Sequence, residues 1–147
     1  MDVDFPAKDF YNFNLYNVSE NQFEPQGDLQ AHIAIILPPF ASSTEKDFLS
    51  KILQAVQIAD LDTVLTLPLA PHARFSWANF VTQTQATHWL IFARTGVGIG
   101  WQFDPPLYQP FIWQNKHQFL FCESLAIIQN DVNKKRLLWE ALKQLFQ

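Results

Sequence analysis

The sequence predicts an α/β fold: a three-layer α/β/α domain built on a mainly parallel central sheet. Three observations lead there. Apolar runs rich in β-branched and aromatic residues, HIAIIL, TVLTL and HWLIFA, stand at residues 32–37, 63–67 and 88–93. Runs of that length and character mark strands covered on both faces. Stretches with helical periodicity alternate with them, and such alternation builds parallel sheets with helices on either side. Finally, 147 residues at 48% hydrophobic and 16% charged make the composition of one globular domain.

Residues 1–30 form an N-terminal arm in this reading, and residues 31–147 a single α/β domain. The arm has no sustained period beyond a short helix around 7–14, and it carries Phe5, Phe10, Tyr11, Phe13, Tyr16 and Phe23 among polar residues. A polar turn, PQGD at 25–28, ends it. The first strand follows at 32–37 and is expected to be central, because its apolar run is unbroken. Pro38 and Pro39 stop it. Ser43 or Thr44 then caps a helix whose Phe48, Leu49, Ile52, Leu53 and Val56 share one stripe.

Residues 63–67 are the second strand, and a helix is expected over 75–85. The third strand, 88–93, runs into the turn TGVGIG. Two extended runs, 108–113 and 118–121, flank a QNKH stretch that suits a hairpin or two sheet strands. A last helix spans 131–146, with Leu138, Leu142 and Leu145 toward the sheet and Lys134 and Lys143 in water.

Charge and cysteine content narrow the function. A net charge of −4 argues against broad binding to the phosphate backbone, so direct nucleic-acid binding is expected to be weak or absent. One cysteine, Cys122, allows no internal disulfide and fits a reducing compartment. No apolar run is long enough for a membrane span, and the acidic, aromatic start is unlike a signal peptide, so the expectation is a cytoplasmic chain.

Few residues carry a chemical pattern. Gly96, Gly98 and Gly100 follow the third strand and lead into prolines, so they read as turn geometry and not as a nucleotide loop. His32, His72, His88 and His117 show no metal-ligand spacing, and neither metal nor cofactor is expected. His72 and His117 are the two histidines that could face a cleft at the strand ends. Ser42, Ser76 and Ser124 lack a nucleophile-elbow setting.

The segment DFLSKILQAVQIADLDTVLTL at 47–67 and the ending SLAIIQNDVNKKRLLWEALKQL resemble uracil-DNA glycosylase-like proteins and the psi subunit of bacterial DNA polymerase III. Together they frame most of residues 32–146; the arm lies outside the likeness. The resemblance implies a uracil-DNA glycosylase-like fold and supplies a test of catalysis, because glycosylases place particular groups around a flipped base. After the first strand this chain offers Phe40 for stacking, but no carboxylate before Glu45. Leu67 stands where a base-reading Asn is expected. Glu123-Ser124-Leu125 replaces the His motif, and a carboxylate there opposes a developing anion. Cys122 alone cannot hold the iron–sulfur cluster of some glycosylases.

The resemblance therefore implies the non-catalytic branch: a psi-like replication adaptor, not an enzyme, with a clamp-loader or chi-like protein partner and no membrane. Phe5, Phe10, Tyr11, Phe13 and Tyr16 are the candidate partner contacts, since exposed aromatics anchor interfaces. Two alternatives stand beside it. One is a divergent base-processing enzyme using Glu123, His72 or His117. The other is an α/β small-ligand module with Phe40, His72, His117 and Glu123 around a cleft at the strand ends.

Overall fold

The computed structural model describes residues 25–28, 30–58, 63–70 and 73–146. Among the described residues six strands form one mixed sheet: β1 (Gln26–Gly27), β2 (Ile33–Leu37), β3 (Leu65–Pro68), β4 (His88–Phe92), β5 (Phe111–Trp113) and β6 (His117–Cys122). Their order is β1-β3-β2-β4-β6-β5. β2 pairs parallel with β3 and β4, and β4 pairs parallel with β6. The three apolar runs are thus adjacent and parallel, with the first between the other two.

The edges differ from the expectation. β1 and β5 are antiparallel to their neighbours, so the sheet is mixed. Residues 26–27 read in the sequence as arm; here they pair with Leu65 and Thr66 as an edge strand. β5 and β6 make the hairpin, and Gln114 and Asn115 turn it with φ of 56° and 57°. Paired positive φ is what a tight hairpin turn requires.

Strand alternation divides the core between the two faces. Ile35, Leu37, Leu90, Phe92, Leu120 and Cys122 point to one side. There they meet α1 (Ser43–Ala55) through Leu49 and Leu53, α3 (Leu125–Gln129) through Leu125 and Ile128, and α4 (Val132–Leu145). Leu138, Ala141, Leu142 and Leu145 are the residues α4 buries, which is the predicted face. Asp131 caps α4 by accepting from the N–H of Asn133 and Lys134.

Ala34, Ile36, Leu65, Leu67, Trp89, Ile91, Phe119 and Phe121 point to the other side. That face is covered by α2 (Trp77–Phe80), by Ile99, and by Trp101, Phe111 and Trp113 packed at its margin. The helix expected over 75–85 lasts one turn before a 3-10 segment, Val81–Gln83. The physical reason is local: Thr82 Oγ1 donates to the carbonyl of Asn79, and Thr84 Oγ1 accepts from Ala86 N–H. Hydroxyls that bond nearby backbone compete with the helix ladder.

The glycine turn also has a steric explanation. A Cβ on Gly96 would stand 1.9 Å from the carbonyl oxygen of Phe103, and Gly100 sits at φ +93°. These glycines serve close backbone approach and a left-handed turn.

Candidate functional site

Counted in their own chain order, the four parallel strands β2, β3, β4 and β6 lie 2-1-3-4. The chain therefore reverses its direction of travel across the sheet between β2 and β4. In open α/β sheets, ligands bind outside the carboxyl ends of the strands at such a switch point. The segments after β2, β3, β4 and β6 are accordingly the place to look.

Leu37 closes β2 because Pro38 lacks an N–H; its carbonyl instead accepts from Leu69 N–H at 2.8 Å, joining the ends of β2 and β3. Phe40, from the same loop, is half-buried against the core on the helical side. Across the switch, Arg94 follows β4. Its Nη1 donates to the carbonyl of Gly98 at 2.7 Å, and its Nη2 to those of Ala70 at 2.7 Å and Ala73 at 3.0 Å. The cation holds two loops together and satisfies carbonyls that neither a strand nor a helix supplies with donors.

At the end of β6, Glu123 joins a three-residue network. Tyr108 Oη donates to its Oε1 at 2.9 Å, and Lys134 Nζ donates to its Oε2 at 2.8 Å. The Lys134 ammonium, helped by the Tyr108 hydroxyl, holds the Glu123 carboxyl below its ordinary value against the opposing pull of desolvation. Burial, with the Glu123 hydrogen bond second, pushes the Tyr108 phenol up. Cys122 next to it is buried, and burial raises its thiol as well. The network takes up one acceptor site on each of the two carboxylate oxygens and holds the side chain in place. Lys134, expected in water, is tethered here instead.

His117 lies elsewhere. It opens β6 while Glu123 follows its end, so the two candidates sit at opposite ends of one strand. Its ring is buried, accepts from Trp89 Nε1 at 3.4 Å and stands edge-on to Trp77 with centroids 5.0 Å apart. Burial, with Lys116 second, lowers its pKa, so it is a neutral core histidine. His72, and the arm residues Phe5, Phe10, Tyr11, Phe13 and Tyr16, lie outside the described residues. Of the four proposed cleft residues, Phe40 and Glu123 share the carboxyl end of the sheet. Among the described residues, no group of three His, Cys, Asp or Glu could hold a metal ion.

Arg94, Tyr108 and Lys134 carry no site motif in the sequence. Tyr108 and Lys134 lie 15 and 11 residues from Glu123. Tyr108 meets Glu123 across the continuation of the β5–β6 hairpin, where Tyr108 N–H donates to the carbonyl of Phe121 at 2.8 Å, whereas Lys134 reaches it only through the packing of α4.

No protein-family model matches the chain, and no curated protein does. Among the described residues, no helix is long and apolar enough to cross a membrane.

Proposed function

We propose that this chain is a non-enzymatic accessory protein of DNA replication, a psi-like adaptor of the DNA polymerase III clamp-loader complex. The uracil-DNA glycosylase-like fold belongs to this reading: it rests on the resemblance of residues 47–67 and of the chain's ending, and the sheet and helices are compatible with it. The observation that carries the absence of catalysis is the Tyr108–Glu123–Lys134 network. It ties the carboxylate at the end of β6 to a phenol and an ammonium, one on each oxygen, a structural use of the group that supports this reading. The divergent-enzyme alternative loses its simplest acid–base pair, because His117 is at the far end of β6 from Glu123.

Partner binding is assigned to the arm, through at least two of its rings, Phe10 and Phe13 first. Deleting residues 1–16 should abolish capture of the purified clamp-loader complex while leaving thermal stability nearly unchanged. Unfolding of the domain on deletion would instead make the arm part of the core. Base release from uracil- or hypoxanthine-containing DNA, lost in Glu123→Gln, would replace the adaptor reading with the enzymatic one.

A further inference from the structure

We propose that the outer stripe of α4 is a docking surface for an acidic amphipathic helix of a partner protein. Val132, Arg136, Trp139 and Lys143 recur at i, i+4, i+7 and i+11, a line of about 16 Å along one side of the helix. This line lies opposite the buried Leu138, Ala141, Leu142 and Leu145. All four residues are exposed, Val132 at 79% and Trp139 at 38%. Apolar and cationic side chains alternate along it.

The alternation states what the occupant must be. A helix laid beside α4 repeats its own side chains at the same period, so apolar residues can meet Val132 and Trp139 while carboxylates meet Arg136 and Lys143. The charges require an acidic partner. α4 carries Lys134, Lys135, Arg136 and Lys143 against Glu140 alone, in a chain of net charge −4. Lys134 is engaged by Glu123, and Lys135 lies over the Phe48 ring at 5.8 Å. Among the described residues no carboxylate pairs with Arg136 or Lys143. A nucleic acid fits less well. Two free cations neutralise few phosphates, and Lys143 lies 5.6 Å from the centre of the Trp139 ring, which it covers in part against a stacking base. The replication reading assigns partner capture to the arm and not to α4, so the two binding activities can fail separately.

The test uses the full chain and two labelled synthetic helical peptides of about 18 residues. One presents Leu and Glu alternately at i, i+4, i+7 and i+11; its twin has Lys for every Glu. Fluorescence anisotropy should show saturable binding of the acidic peptide, and binding of the basic twin weaker by about tenfold or more. Arg136→Glu with Lys143→Glu should reverse that preference, and Trp139→Ala should weaken the acidic peptide by about tenfold, a loss typical of an interface aromatic. Equal binding of the two peptides to the unaltered chain overturns the proposal without any variant having to fold. So does tighter competition by oligothymidylate, by a peptide of residues 1–24, or by a second copy of the chain seen in sedimentation.

Discussion

Glu123 stands between the segment that precedes β5 and the first turn of α4, and its charge is what both neighbours read. Replacing it with Gln keeps an acceptor for Tyr108 but leaves Lys134 without its anion. The pair is partly exposed, so Glu123→Gln should lower stability by about 0.5–1 kcal/mol at low salt and by less at high salt. The folded carboxyl lies below its unfolded value, so its stabilisation is complete above the unfolded value of about 4.3. It is lost as pH falls through the lower, folded value. Urea unfolding of both proteins between pH 7 and pH 3 checks this: the difference should shrink toward acid, and a constant difference would refute the assignment. The sequence shows Glu123 as a departure from a catalytic motif; Tyr108 comes to it across the β5–β6 hairpin, and Lys134 only through the packing of α4.

Among the elements, the long amphipathic ones were legible and the short ones were not. The period of α4 assigned Leu142 to the core, where it is 1% exposed; Leu142→Ala should destabilise by about 2–5 kcal/mol in chemical denaturation. α3 is five residues long, too short to display a period, and α2 broke where side-chain hydroxyls took over backbone bonds. The glycine turn divides cleanly by position. Gly96→Ala sets a methyl group against the backbone of Phe103 and should cost about 1–3 kcal/mol, as overpacking does. Gly98→Ala meets nothing closer than Thr95 Oγ1 at 3.4 Å and should stay within about 0.5 kcal/mol. Similar losses in the two variants, measured by thermal melting, would remove the steric account.

At the scale of the molecule, the inner strands were legible because burial on both faces demands unbroken apolar runs, as in β2 and β4. The edge strands were not: β1 has two residues and β5 three, and their pairing follows from the sheet they close. The two faces are also clothed differently, one by α1, α3 and α4 and the other largely by rings. Trp77, Trp89, Trp101 and Phe119 interlock there, with neighbouring centroids 4.8–6.0 Å apart. The candidate site was half legible, since Phe40 and Glu123 could be placed after strands, whereas His117 could not be assigned to an end. Hydrogen exchange should be slowest at Ala34–Ile36 and Leu90–Ile91, in the middle of the sheet, and fastest among the strands at the β1 and β5 edges. Faster exchange in β2 than in β5 would mean that the sheet opens from its centre.

Cys122 turns this architecture into a chronometer. It is the single cysteine of the chain, it is 1% exposed at the end of β6, and its thiol is held protonated by its surroundings. Disulfide reagents attack through the thiolate, so reagent can reach this sulfur only when the β6 end comes apart. Labelling with an aromatic disulfide should run more than about a thousandfold slower on the native chain than in denaturant, the ratio that a stability of about 5 kcal/mol implies. At high reagent the rate should stop rising with concentration and become the opening rate itself. One sulfur atom thus lets bulk kinetics be read at a named residue, with no tag or engineered probe.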